Sequence, residues 1–167
     1  MSGEANVFHP EFEGSTDRQG FSGRRAQLGR QAGAQRLGAS LFELAPGSAP
    51  FPLHYHLGNE ELLIVFGGRP SLRTPDGERL LAEGEIVAFP RGETGAHQVV
   101  NRSEEPARVL IVSEMNAPDI VVRPESGKLS AFGRPPGGRG EGMHKVFFLR
   151  DEADFWEAEE PPPPPSG

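Results

Sequence analysis

Four side chains suited to holding a transition metal stand in two stretches of this 167-residue chain. His54-Tyr55-His56 places two imidazoles two positions apart, and in an extended strand such positions project to the same face. After Leu57-Gly58-Asn59, a turn by composition, the chain returns through Glu60-Glu61 into the apolar run 62–66. Glu60 and Glu61 compete as the carboxylate donor. Glu61 is preferred, because it shares a strand face with Leu63 and Val65 and the run then closes at Gly67-Gly68. His97 follows in the second stretch, near the start of a strand that comes after Pro90-Arg91-Gly92. Three imidazoles and one carboxylate form a nitrogen and oxygen set that Fe, Mn, Ni or Zn accepts. Six-coordinate geometry leaves two positions for water, substrate or dioxygen. Tyr55 and Gln98 flank these residues and point away by strand parity. Glu60 is expected exposed at its turn, and His9 and His144 are expected at the surface.

Such a site needs strands that bring two distant stretches together. The chain holds 22 glycines and 17 prolines, about twice the average share, and no cysteine, so thiolate ligands and disulfides are excluded. Short apolar runs at 62–66, 86–89 and 109–112 separate the glycines and prolines, which predicts many short strands joined by turns. Strands are predicted over 36–44, 53–56, 61–66, 71–74, 78–81, 85–89, 96–100, 107–115, 120–123 and 145–149. Pro75-Asp76-Gly77 is expected to close a hairpin, with Asp-Gly supplying positive φ angles.

The expected organisation is one domain without internal repeats. Residues 1–35 form an arm that carries Arg24, Arg25 and Arg30, 36–123 form the barrel, 124–160 pack on it, and 161–167 are a proline-rich solubilising tail. Within the third segment, 133–142 is expected to be mobile, and 151–156 to form a short helix whose Phe155 and Trp156 cover the barrel.

A formal net charge of −7 argues against a phosphate-backbone binder, so no nucleic-acid partner is expected. No basic and apolar leader and no long apolar run is present, so a soluble, cytoplasmic protein without membrane attachment is expected. The Gly-rich stretch 133–142 matches neither a phosphate-cradling loop nor a dinucleotide fingerprint, and no Ser-His-Asp arrangement is discernible. The run 62–66 is apolar on both strand faces and needs a second cover, supplied by the N-terminal arm or by a partner in a homodimer.

The two stretches resemble the two motifs of the cupins. The first motif runs glycine, HxH, glutamate, glycine, and here reads Gly47, His54-Tyr55-His56, Glu61, Gly68 with one extra residue after the first glycine. The second reads Gly84, Pro90-Arg91-Gly92, His97, Asn101, with two extra residues before the histidine. The fuller pattern is similar to that of a bacterial single-domain cupin group. This resemblance implies an all-β double-stranded β-helix, or jelly roll, and one divalent metal (Fe, Mn, Ni or Zn) on His54, His56, Glu61 and His97. It implies either a metal-dependent enzyme acting on a small organic molecule, dioxygenase-like oxidoreductase first and isomerase or lyase next, or a non-catalytic cupin. The latter would bind a small ligand such as a carbohydrate, or serve as a sensor or structural domain. Catalytic residues beyond the ligands are not implied, because fold does not fix function.

Overall fold

The computed structural model describes residues 5–133 and 142–161. Thirteen strands account for most of them: β1 (Gly14–Arg18), β2 (Phe21–Ala26), β3 (Leu37–Leu44), β4 (Tyr55–His56), β5 (Glu61–Gly67), β6 (Ser71–Thr74), β7 (Gly77–Leu80), β8 (Ile86–Phe89), β9 (Gln98–Val100), β10 (Ala107–Glu114), β11 (Asp119–Arg123), β12 (Lys128–Phe132) and β13 (His144–Phe148). One layer is a six-stranded sheet in the order β1-β2-β3-β10-β5-β8. Facing it are a four-stranded sheet, β13-β12-β11-β4, and a three-stranded sheet, β7-β6-β9. A single antiparallel bridge stitches these two together: the His54 N–H donates to the His97 carbonyl at 3.1 Å, and the His97 N–H donates back at 2.9 Å. The fold is an all-β jelly roll.

Strand parity builds the core between the layers. Glu61, Leu63 and Val65 of β5 are buried while Leu62, Ile64 and Phe66 are half-buried, the alternation expected of a strand with one covered face. Across the ladder, Ser113, Ile111 and Val109 of β10 stand opposite Glu61, Leu63 and Val65. Residues opposite one another share a face, so one row of side chains passes from apolar core to polar site without leaving the interior. Phe42, Leu44, Leu72, Leu81, Phe89 and Val99 complete that core with Leu63, Val65 and Val109. Each large apolar side chain buried there contributes about 1.5–3 kcal/mol. Gly68 closes β5 at φ 78°, and a Cβ there would lie 2.9 Å from the Ala107 Cα, so both conformation and space require glycine.

Most predicted strands form within one or two residues of their predicted limits. β12 has no predicted counterpart, and three further details differ. The hairpin loop is Pro75-Asp76, with Thr74 paired to Gly77; Gly77 thus belongs to the ladder rather than to the turn. The hairpin β1–β2, closed by Gln19-Gly20, joins the first layer from within the first 35 residues. Its strands are polar because β1 is an exposed edge, which erased the hydrophobic alternation. Residues 151–156 do not form a helix: a 3-10 turn spans Leu149–Asp151, and Phe155 and Trp156 are 80% and 73% exposed. Adjacent aromatics cannot share one helix face, and so short a helix needs packing to persist. Most of 133–142, expected mobile, and most of the proline tail lie outside the described residues.

On the outer side of the first layer, Val7, Phe12 and Leu110 pack against Ala26, Leu28 and Leu41, and the Phe8 ring meets Phe66 edge-on at 6.0 Å. The N-terminal segment thus covers part of the doubly apolar strand. No helix among the described residues is long and apolar enough to cross a membrane.

Candidate metal centre

The site forms where the layers meet. His54 and His97 sit at the bridge that joins the two smaller sheets, His56 lies two residues on in β4, and Glu61 faces them from β5 of the opposite layer. All four are buried. One donor atom from each of His54, His56 and Glu61 lies within 4.8 Å of the other two. His97 stands outside that group of three but beside it, with Nε2 at 3.5 Å from Glu61 Oε2; His56 Nε2 is 3.8 Å from the same oxygen. Glu60 is exposed and its N–H donates to Glu114 Oε2 at 3.0 Å, so Glu61 is the inward carboxylate. Gln98 is engaged with the Phe51 carbonyl and Arg73, and His9 and His144 are exposed.

Each imidazole has its Nδ1 engaged. His54 Nδ1 lies 2.9 Å from the Pro52 carbonyl, His97 Nδ1 2.9 Å from the Gly95 carbonyl, and His56 Nδ1 2.6 Å from Asp119 Oδ2. A carbonyl can only accept, so His54 and His97 carry their proton on Nδ1 and present Nε2 as a lone pair. Asp119, fully buried, also accepts the Gly58 N–H at 2.9 Å. It holds the His56 ring in the same sense, the arrangement that orients metal-ligating histidines.

Sequence reasoning passed over Asp119. Its one signal was an acidic residue in phase with Val121 on an inward strand face, visible only once β11 is known to pair with β4. Ser113, opposite Glu61 in the ladder, and Gly95, whose carbonyl holds His97, were also missed.

The two residues inserted before His97 are absorbed by a 3-10 turn, Glu93–Gly95. The Gly95 N–H donates to Gly92 and the Ala96 N–H to Glu93, both at 3.0 Å, which returns the chain to the sheet at His97. The His97 ring then stacks on Phe89, with centroids 3.6 Å apart and planes 5° from parallel.

Burial, followed by the neighbouring imidazoles His97 and His56, drives the His54 pKa down to about 3. Burial likewise lowers His97 to about 4, against the Gly95 carbonyl, which favours its protonated form. For His56, burial works downward but the Asp119 hydrogen bond and the Glu61 charge outweigh it, and the pKa rises. Burial raises Glu61 despite His56 and Ser113. The set fits a cation. No Lys or Arg pairs with the Glu61 carboxylate among the described residues, and its contacts with His56 and His97 are too long for direct hydrogen bonds. Imidazoles grouped round one carboxylate, with His54 and His97 held neutral, are what a divalent ion needs.

The shifts define a stability window for metal-free protein. Unfolded histidines take up protons below about pH 6.5, whereas folded His54 and His97 stay neutral until about 3 and about 4. Their contribution is complete above the unfolded value and is lost as the pH falls toward the folded values, by about 2 kcal/mol per histidine at pH 5. His56, with its raised pKa, acts in the opposite sense and offsets part of this. Chelator-treated protein is expected to unfold at lower denaturant at pH 5 than at pH 7, and His54→Gln to flatten that dependence. Equal midpoints at both pH values for the wild type would contradict the neutral-histidine assignment.

Comparison with known proteins agrees with this architecture. The family described as Cupin domain matches residues 40–113. A candidate sugar phosphate isomerase from Acidithiobacillus ferrooxidans is 23% identical with a TM-score of 0.72, over 87% of this chain and 88% of that one. A sugar phosphate isomerase of the cupin superfamily from Silicibacter pomeroyi is 24% identical with a TM-score of 0.69, over 83% and 96%. The polyketide cyclase RemF from Streptomyces resistomycificus is 25% identical with a TM-score of 0.56, over 68% and 80%. No curated protein sequence is significantly similar to the chain. Two facing layers and the matched span make residues 40–113 a cupin domain.

Proposed function

We propose that this cupin is a metal-dependent enzyme acting on a small organic molecule, with His54, His56, Glu61 and His97 holding one divalent Fe, Mn, Ni or Zn ion. The observation that carries it is the buried Glu61 carboxylate, faced by imidazoles whose Nδ1 atoms are engaged elsewhere. When bound, such an ion polarises a ligand oxygen or binds dioxygen at its open positions. Within that scheme the chain's own residues orient the donors through Pro52, Gly95 and Asp119 and exclude bulk water from them. A dioxygenase-like oxidoreductase is the first choice and an isomerase the second. The burial of the four residues favours one other reading, a non-catalytic cupin that closes over a small ligand.

Elemental analysis of protein purified without chelator or nickel resin tests the metal centre. About one transition-metal ion per chain is expected in the wild type, falling at least tenfold in His54→Ala and His97→Ala. A wild type holding no more metal than the two variants would remove the proposal.

We also propose the division into an N-terminal arm (1–35), barrel (36–123), extension (124–160) and tail, in a cytoplasmic homodimer. Outside the sheet, Leu62 and Ile64 of β5 stand beside Ala88 and Ile86 of β8. Ile86 is 60% exposed, and the N-terminal contacts on this outer face are with Leu41, Leu110 and Phe66. A second copy buries this patch. Light scattering at micromolar concentration is expected to give twice the chain mass, and Ile86→Glu to give the single-chain mass; a monomeric wild type would exclude the dimer.

A further inference from the structure

One arginine beside the candidate metal centre has no carboxylate partner among the described residues. Asp119, Val121 and Arg123 alternate along β11, and the first two are buried on the inner face. Val121 stands opposite His56 and Val122 opposite Tyr55, so the same register carries Arg123 to the His54 end of the site. Its charge reaches both imidazoles, where it disfavours protonation of His54 and of His56. The guanidinium is half-buried, and its partner among the described residues is the Ser130 hydroxyl at 2.7 Å from Nη1. Glu125, the nearest carboxylate along the chain, is paired with Arg73 instead. Lys128, opposite Arg123 in the ladder, adds a second cation, with its ammonium placed over the Phe148 ring.

A partly buried arginine satisfied only by a hydroxyl is costly unless an anion completes it. The charge balance indicates which anion. A divalent ion would be neutralised by Glu61 and Asp119, the two carboxylates tied to the histidines. Arg123 remains as the uncompensated charge beside the centre. A carboxylate brings one negative charge and matches the guanidinium fork with two parallel hydrogen bonds. A phosphate monoester brings nearly two, which Arg123 balances only together with Lys128, whose ammonium lies over the Phe148 ring.

We propose that Arg123 anchors the carboxylate of a small organic acid, and that this acid, with a second oxygen directed at the metal, is the substrate class of the protein. This rests on the metal-centre reading above. Arg123 is thereby a specificity-determining residue, whereas the histidines and Glu61 serve the ion.

Calorimetric titration of the protein as purified and after metal removal tests it. The probes are monocarboxylates of two to six carbons with and without a 2-hydroxy or 2-oxo group, their amides, and inorganic phosphate. Wild type, Arg123→Gln and Arg123→Lys are compared, and metal content is measured in every sample. At least one acid is expected to bind the wild type, to bind Arg123→Gln at least tenfold more weakly with metal content unchanged, and to regain part of its affinity in Arg123→Lys. Its amide is expected not to bind. Full metal content with no acid discriminating wild type from Arg123→Gln would overturn the proposal and leave the metal centre standing. Phosphate binding in preference to every acid would also overturn it. A wild type without metal that still binds an acid through Arg123 would remove the metal reading and keep the arginine assignment; without metal and without such binding, both fall.

Discussion

Asp119→Ala is expected to lower metal affinity about 10- to 100-fold while leaving all four candidate ligands in place. Asp119 touches His56 Nδ1 at 2.6 Å and accepts the Gly58 N–H at 2.9 Å, so it ties the HxH strand to the turn that leads into Glu61. Without it, the His56 ring is free to rotate or change tautomer, and the partly buried Gly58 N–H loses its acceptor. Burial raises the Asp119 pKa, but the hydrogen bond and charge of His56 overcome that and hold it below the usual carboxylate value. The carboxylate is therefore ionised at neutral pH. Breaking a buried charged pair on one side costs about 3–5 kcal/mol, so the alanine variant is also expected to unfold earlier. Asp119→Asn separates the two effects. It keeps an acceptor for Gly58 and recovers most of the stability, yet loses the charge that orients His56 and remains weak in metal binding. Competition against a coloured chelator, with denaturant unfolding on the same samples, reads both; undiminished metal affinity in a folded Asp119→Asn protein would show that the carboxylate has no part in the centre.

Gly95→Ala carries the second large effect. A Cβ at this position would stand 1.8 Å from the Pro90 carbonyl oxygen, an overlap that no rotamer relieves because both partners are backbone. The 3-10 turn Glu93–Gly95 must then open, and with it go the Gly95 carbonyl that holds His97 Nδ1 and the placement of His97 on the bridge to His54. Forced overpacking costs about 1–3 kcal/mol, and this backbone clash belongs at the upper end. Metal content is expected to fall with the stability, because the same turn supports His97, the fourth candidate donor. Thermal unfolding and elemental analysis of the variant check this, and wild-type values in both would mean that the turn does not position His97.

The four candidate residues were legible because their chemistry and their spacing coincide. His54 and His56 follow from the two-residue period of a strand, which holds wherever that strand lies in the molecule. Glu61 over Glu60 followed from the same period, read against Leu63, Val65 and the glycine that closes the strand; the burial of Glu61 and the exposure of Glu60 match that choice. The polar β1–β2 hairpin was illegible because a solvent-facing edge strand needs no apolar alternation. The exposure of Phe155 and Trp156 went the other way: aromatic composition suggested packing, but no element among the described residues covers them.

What the amino-acid sequence determined by itself is the local periodicity, the turns and the donor types, and hence an all-β chain with candidate nitrogen and oxygen donors at fixed phases along its strands. Only the tertiary structure decided which strands meet. The bridge between His54 and His97 joins residues from two separate motifs, Asp119 reaches His56 from a strand far along the chain, and Arg123 arrives beside the same site by the same register. Strand parity is a property of a few consecutive residues, whereas pairing depends on long-range burial and closure of the two layers, which no local pattern encodes.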